Sequence, residues 1–558
     1  MNLANLGRAG LEVAQNRLQT AGHNINNAAT EGYNRQNVLA QTAGATGTSA
    51  GWIGRGVQAV GVQRAYDSFL YRQLMDSQVK GAALATYGDQ ISQVNNLFAD
   101  RTVGISPAIQ KFFDGIQALA SAPADSAARQ ELLGRATSLA TQIRSADAFI
   151  DDQRGNINTQ ISTTVTQINS HLERIDDLNQ QIVIAKATVP GQPPNDLLDM
   201  RDQVVSELGQ LIDIRVFEQG DRVNIAVGSG QVILGGGTVF PLATLPSEAE
   251  PSRLGVSYTT VDSSGQPMLV EIPETSISGG RLGGLLSFRA QALDTVQNDL
   301  GRLALGLATT VNEVHAAGVD MAGVAGGQFF NIGTPAVINH EGNTGTAAPV
   351  VDYDYALSVP PAVGGLSNAF TNQDYRVEFD GADYSVTTIP GGTTTALGGL
   401  PASFGGVTFD VPTGTAAAGD SWLIQPTRGA AGDLTVAITD PAKIAAAGAG
   451  LGVANGDNAL ALAALQTDKV LGGGSMGLND AFSQIVNKVG VMTQQNTTAK
   501  KAQDALIQQN FSAQQAVSGV NLNEEYMNLN RFQEQFRASA RLIDVSSTLF
   551  DTLLGLRA

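Results

Sequence analysis

The chain has no cysteine among its 558 residues, which excludes disulfide staples, thiolate metal sites and cysteine nucleophiles together. Histidine is nearly as scarce: His23, His171, His315 and His340 are the only four, and they show no metal-ligand spacing. No apolar run approaches the ~20 residues needed to cross a bilayer, so no membrane insertion is expected. Asn5, Arg8, Glu12 and Asn16 interrupt any signal-peptide core at the amino end. Positive charge is also short. Lys and Arg number 33 against 51 Asp and Glu, a net charge of -18, so no nucleic-acid surface is expected. At roughly 150 residues per domain the length suits three to four domains.

Catalytic patterns are incomplete. Gly473-Gly474-Ser475-Met476-Gly477 matches a nucleophile elbow, which requires an acid and a histidine later in the chain. All four histidines precede Ser475, so the stretch reads as a linker entering a helix at Leu478. Gly448-Ala449-Gly450-Leu451-Gly452 lacks the third glycine of a dinucleotide loop and also reads as linker. His171 lies on an apolar helix seam, where a packed imidazole is favoured over a ligand. No catalytic, cofactor-binding or metal-binding residue is expected, and no enzyme.

What the chain does have is heptads at both ends. Leu522, Leu529, Phe536, Ile543 and Phe550 recur every seven residues near the carboxyl end. Tyr526, Ala540 and Leu554 lie on a companion seam broken by Gln533 and Ser547. This is a coiled-coil stripe. At the amino end Ala4, Leu11, Leu18 and Ile25 share that spacing, with Ala14, Ala21 and Ala28 narrowing the helix surface. Neither helix has an obvious local partner. The economical inference is that they pair with each other and, through partly small or polar stripes, with further copies in an assembly.

The first helix closes on His23-Asn24-Ile25-Asn26-Asn27, followed by Thr30-Glu31-Gly32-Tyr33-Asn34-Arg35. Asparagine amides compete for backbone groups, so Asn24, Asn26 and Asn27 mark a helix end and a side-chain-bonded loop. Gly32 can adopt the left-handed conformation of such a stop. At the other end Ser518-Gly519-Val520 breaks one helix, and Asn521 with Glu524 resembles a capping box opening the next. The Asn-rich helix end with Thr-x-Gly-Tyr and a basic residue resembles the amino-terminal signature of flagellar rod, hook and first hook-associated proteins. Leu529, Arg531-Phe532-Gln533 and Ala538-Ser539-Ala540-Arg541 resemble the carboxyl-terminal helix of the same proteins.

The middle narrows the resemblance. Rod and hook proteins pass from the first helix into mostly β domains, whereas here long helices are expected first. From Ser121-Ala122-Pro123 to about Ala187 a single helix is expected, with Ile143, Ile150 and Ile157 in one heptad series. Ile161, Ile168, Ile175 and Ile182 form another, offset by four. Asn195-Asp196-Leu197-Leu198-Asp199-Met200-Arg201-Asp202 resembles a stretch of the hook-filament junction family, hook-associated protein 1. So do Gly279-Gly280-Arg281-Leu282-Gly283-Gly284-Leu285-Leu286 and His315-Ala316-Ala317-Gly318-Val319-Asp320.

The expected fold is α+β multidomain: a terminal α-helical coiled coil and long helical bundle with two inserted β-rich domains. Residues 1–64 and 518–558 would form the coiled-coil inner domain with its connecting segment. Residues 65–212, 279–322 and 456–517 would form the bundle. A small β-rich insertion spans 213–278, with strands at Arg222-Val223-Asn224-Ile225-Ala226-Val227 and Gln231-Val232-Ile233-Leu234. A Gly/Thr-rich acidic β-domain spans 323–455, with strands around Tyr375, Tyr384 and Val407. Between 323 and 460 stand twelve acidic and three basic residues, half the net charge. A solvated outward face is preferred over a cation site, because Asp352, Asp354, Asp374 and Asp380 lack EF-hand spacing.

The resemblance implies a structural component of the bacterial flagellum that self-assembles into a ring or helical tube at the hook-filament junction. Hook protein would lie on one side and a second hook-associated protein on the other. It also implies an extracellular location, reached without a cleaved signal peptide through the type III export apparatus, with an export chaperone covering the carboxyl end. Candidate chaperone contacts are Leu529, Phe532, Phe536 and Ile543. Candidate axial-assembly residues are Leu11, Leu18, Asn24, Ile25, Asn26, Asn27, Gly32 and Tyr33 with Leu522, Tyr526, Leu529, Phe532, Phe536, Ala540, Ile543 and Phe550. The alternatives are a hook or distal rod subunit, or a secreted adhesin displayed through a coiled-coil anchor.

Overall fold

A computed structural model describes residues 3–49, 51–99, 104–228, 230–261, 266–357 and 364–556. The fold is α+β and multidomain. It opens on α1 (Leu3–Asn26), followed by β1 (Gln36–Thr42), β2 (Ala45–Thr48), β3 (Gly51–Gly54) and β4 (Val57–Arg64). These strands form one long hairpin in which β1 pairs antiparallel with β4 and β2 with β3. The connecting segment expected before residue 65, whose structure the sequence left open, is this hairpin. Its strands pair with each other and leave most side chains exposed, so no buried face imprints a clear two-residue period.

Four helices follow: α2 (Ser68–Ala99), α3 (Ile105–Ser121), α4 (Ser126–Thr188) and α5 (Asn195–Leu211). With 63 residues, α4 spans about 95 Å at 1.5 Å per residue. All seven isoleucines of its two heptad series are fully buried, and each such side chain contributes roughly 1.5–3 kcal/mol of transfer free energy. The helix starts a few residues later than expected. Pro123 sits in the turn after α3, and Asp125 caps α4 by accepting from the Ala127 N–H at 2.9 Å.

The small insertion contains a four-stranded antiparallel sheet (Ile214–Gln219, Arg222–Val227, Gln231–Gly235, Thr238–Val239). Leu242–Pro246, Leu254–Val261 and Pro267–Ile272 make a second sheet of three strands. The chain returns to the bundle through α6 (Gly280–Phe288) and α7 (Asp294–Ala317), joined by a π-helical turn at Arg289–Leu293. Glycine is required at the return. Gly280 has φ +68°, and a Cβ there would lie 2.4 Å from the Ile212 backbone nitrogen.

The large insertion stacks a five-stranded sheet on a three-stranded one, with Val377, Val407, Phe409, Trp422 and Ile424 buried between them. Short helices α8 (Gly365–Ala369) and α9 (Ala430–Asp433) lie within it. Gly318–Val319 pairs with Ala447–Gly448 to close its neck. Phe329, Phe330, Leu434 and Ile444 belong to the bundle core rather than to the insertion's own. We therefore propose bounds of 336 and 425 for the independent β body in place of 323 and 455. The chain ends with α10 (Asp457–Ala464), α11 (Leu478–Ser518), which packs on α2, and α12 (Leu522–Gly555), which lies along α1. The Gly473–Gly477 stretch is a tight turn with a bridge between Leu471 and Met476, and α11 begins at Leu478.

Candidate assembly site

Three separate sequence signatures meet at one place: the Asn-rich end of α1, the start of α5 and the start of α12. Asn24 is buried and stands at the centre. Its Nδ2 donates to the Gln36 carbonyl at 2.9 Å and to Glu525 Oε2 at 3.3 Å. Its Oδ1 accepts from the Gln36 N–H at 2.9 Å and from the Tyr33 hydroxyl at 2.7 Å. Gly32 takes φ +77°, and a Cβ there would press on Gln203 of α5 at 2.8 Å. Asn27 turns back to cap its own helix, donating to the His23 carbonyl at 3.0 Å.

Arg35 reaches α12, where its Nε donates to Glu525 at 2.8 Å and its Nη2 to Glu524 at 2.9 Å. Asn34 donates from backbone and side chain to Asp199 at 2.9 and 2.7 Å, and Arg64 pairs with Asp199 at 2.7 Å and Asp202 at 2.8 Å. Burial, reinforced by Asp196, Asp199 and Glu525, pushes the Tyr33 phenol up, so it stays a neutral donor. Burial also raises Asp199 and Asp202, against the pull of Arg64. The arrangement does no bond chemistry. It fixes the angle at which the terminal coil leaves the bundle.

Helices α1 and α12 run antiparallel, and their contact differs from the expected seam. Gly7, Ala14 and Ala21, seven apart, are buried on α1 together with Val13 and Asn24, while Leu11, Leu18 and Ile25 are half-buried flanks. The approach is close. A Cβ on Gly7 would lie 2.7 Å from Ile543 Cγ1, and one on Gly10 would lie 2.6 Å from Ser539 Oγ. Further along, Arg17 donates to Gln535 at 3.3 Å and lies over the Phe532 ring.

On α12, Leu529, Phe532, Phe536, Ala540 and Ile543 are half-buried, but Leu522, Tyr526 and Phe550 are exposed, and so is Leu554 on the companion seam. The true companion positions are Glu525, Phe532, Ser539 and Ser546. Two serines and a glutamate carry no apolar signal, so a search for apolar heptads chose the wrong partner row. Asn26 is exposed and Asn27 half-buried at the helix end. On the outer side of α12, Leu542, Val545, Leu549, Leu553 and Leu556 form an exposed apolar stripe.

A second polar cluster escaped sequence reasoning. Four guanidinium groups (Arg154, Arg253, Arg289, Arg428) interleave with four carboxylates (Glu250, Glu274, Asp294, Asp374) where α4, the π turn and both insertions meet. Arg154 and Arg253 each lie 2.8 Å from Asp294, Arg428 lies 3.0 Å from Glu250, and Arg428 also pairs with Asp374. Burial opposes ionisation of Asp294, but Arg428, Arg253 and Arg154 outweigh it and hold its carboxyl well below the usual range. Burial pushes Asp374 up to about 6 despite Arg428. The reading of Asp374 as a solvated surface carboxylate is thus corrected, because it ties the large insertion to the bundle. The available signal was Arg428, one of three basic residues in an acidic stretch.

The model of the "Flagellar hook-associated protein FlgK helical domain" family matches residues 91–330. The chain is 38% identical to flagellar hook-associated protein 1 of Salmonella typhimurium and 37% identical to that of Escherichia coli, with 100% of each chain covered. A solved flagellar hook junction protein from Burkholderia pseudomallei superposes with a TM-score of 0.72 at 29% identity, covering 80% of this chain and 100% of that one. Fold, junction and relatives define a structural protein of the bacterial flagellum. More narrowly, the chain belongs to the flagellar hook-associated protein 1 family.

Proposed function

We propose that this protein joins hook to filament as a self-assembling adapter, with hook protein on one side and a second hook-associated protein on the other. The observation that carries the reading is the union of the Asn24, Asp199 and Glu525 signatures in one polar joint, which makes the terminal coil a rigid extension of the bundle. Leu11, Leu18 and Ile25 with Leu522, Tyr526 and Phe550 would then meet neighbouring copies in a ring or helical tube. The exposed stripe on α12 supports this, since a continuous apolar face of that kind asks for a partner. We read the protein as non-enzymatic and extracellular.

Export follows the same logic. Leu529, Phe532, Phe536 and Ile543 face α1 in the folded chain, so a cytoplasmic chaperone on these residues would keep α1 and α12 apart until passage through the type III apparatus without a cleaved signal peptide. Gene deletion in the host, with electron microscopy of cell-attached and shed flagella, tests the adapter reading. Hooks without filaments, flagellin in the medium and rescue by the full chain but not by one lacking residues 522–558 are expected. Normal filaments on the deletion strain would overturn it.

A further inference from the structure

The two tryptophans have opposite surroundings: Trp422 is 1% exposed in the large insertion's core, and Trp52 is 81% exposed. Trp52 lies on β3 in the outer half of the hairpin, where every residue of β2 and β3 is exposed. Ile53 beside it is 51% exposed. Gly44 and Gly56, at φ +82° and +95°, re-aim the hairpin where one strand pair gives way to the other. Backbone bonds of 2.9 Å from Ala43 to Gly56 and 2.8 Å from Arg55 to Gly44 hold that bend. The outcome is an ordered arm carrying a large aromatic side chain in water.

The same chain carries a groove with an apolar floor between mostly polar walls. The loop at 28–34 and helices α2, α5 and α11 enclose about 420 Å³, with Leu74 and Met75 at the base and Phe511 at the side. Its charged lining residues are Glu31 and Asp202, the latter held by Arg64. The hairpin between Arg35 and Arg64 carries Arg55 and no carboxylate. No residue of β2 or β3 lines the groove of its own chain.

We propose that the arm of one copy docks in this groove on a neighbouring copy, with Trp52 over Leu74 and Met75 and Arg55 facing Glu31. A tryptophan buries about 150–250 Å² in such a seat. An arm meeting a different surface of an identical chain is a heterologous contact, which propagates head to tail into a ring or a helix. The inference rests on the adapter reading, because it supplies that assembly with a lateral contact outside the coil.

The absence of native cysteine permits a clean test. Ser49→Cys on the arm and Gln515→Cys at the groove leave Trp52 in place. Hooks isolated from a deletion strain carrying the double variant are treated with a short bis-maleimide. A ladder of cross-linked chains is expected from the double variant and from neither single one. Adding Trp52→Ala should reduce it at least about tenfold, as loss of an anchoring aromatic does. Arg55→Glu should weaken it, and Arg55→Glu with Glu31→Arg should restore it. The double variant present in hooks without a ladder would overturn the arm contact and leave the adapter reading standing, as would a ladder from a single variant. Wild-type chain absent from hooks would overturn both.

Discussion

Asn24 and Gln36 exchange two hydrogen bonds of 2.9 Å, the side-chain amide of one reading the backbone N–H and C=O of the other. A helix end thereby acts as a pairing partner for the first residue of a strand. The same amide touches Glu525, 501 positions away in sequence, so one side chain joins helix, hairpin and carboxyl-terminal coil.

Replacing Asn24 by Ala leaves the Gln36 N–H and C=O without that partner, while Glu525 keeps Arg35. Each buried orphan costs about 1–3 kcal/mol. Amide exchange in α1 and the first turns of α12 should accelerate while the α4 amides keep their protection. Unchanged exchange at both termini would show that the joint does not depend on this residue.

The joint also shows how far the sequence could be read. Its three signatures were visible separately, because asparagines, a left-handed glycine and a capped helix start are local events. Their meeting was not visible, since nothing local in Asp199 announces Asn34 as its partner. Within α4 the isoleucine rows were legible because the buried face is apolar throughout. Along α12 three of the four companion positions are Glu525, Ser539 and Ser546, chosen for closeness and pairing rather than hydrophobicity, and the row was misplaced. The hairpin was missed because strands without a buried face leave no alternation.

Glycine at position 10 is set by one neighbour, Ser539. Gly10→Ala alone should loosen the coil. Gly10→Ala with Ser539→Ala removes the clash and gains helix propensity, up to about 1 kcal/mol. Thermal melts followed by circular dichroism of the terminal helices should rank the double variant above wild type and the single variant below it. A single variant as stable as wild type would mean that the helices separate easily.

Asp147 lies in the bundle, where burial pushes its carboxyl up to about 6. Its folded value exceeds the ordinary unfolded one, so the folded chain binds the extra proton, and stability falls as pH rises from about 4 to about 6. Asp147→Asn keeps an acceptor for Gln297, which donates at 3.3 Å. The variant should be more stable than wild type at pH 7.5, on the order of 1–2 kcal/mol, and equal to it near pH 4. Denaturant unfolding at both values reads this directly, and a gain that persists at pH 4 would assign the effect to packing.

Arg428 neutralises Asp374 and Glu250 in the buried cluster. Arg428→Ala strands Asp374, while Glu250 keeps Arg253 at 3.3 Å, with an expected cost of about 3–5 kcal/mol. Limited proteolysis should cut near the neck of the large insertion while the bundle survives. A variant as resistant as wild type would show that the neck strands alone hold the insertion.

Phe536 and Ile543 serve two partners in turn under the export reading. Changing both to Asp should abolish capture by the export chaperone in a pull-down and also prevent incorporation into hooks. Retained capture would remove these residues from the chaperone footprint.

The β body of the large insertion begins and ends on adjacent paired residues, Ala336 beside Gln425. Antiparallel neighbours stand only about 5 Å apart. The fold therefore treats the residues between them as a detachable side branch: a foreign domain with adjoining ends could be grafted at this doorway, and surface variation there would cost the scaffold nothing in geometry.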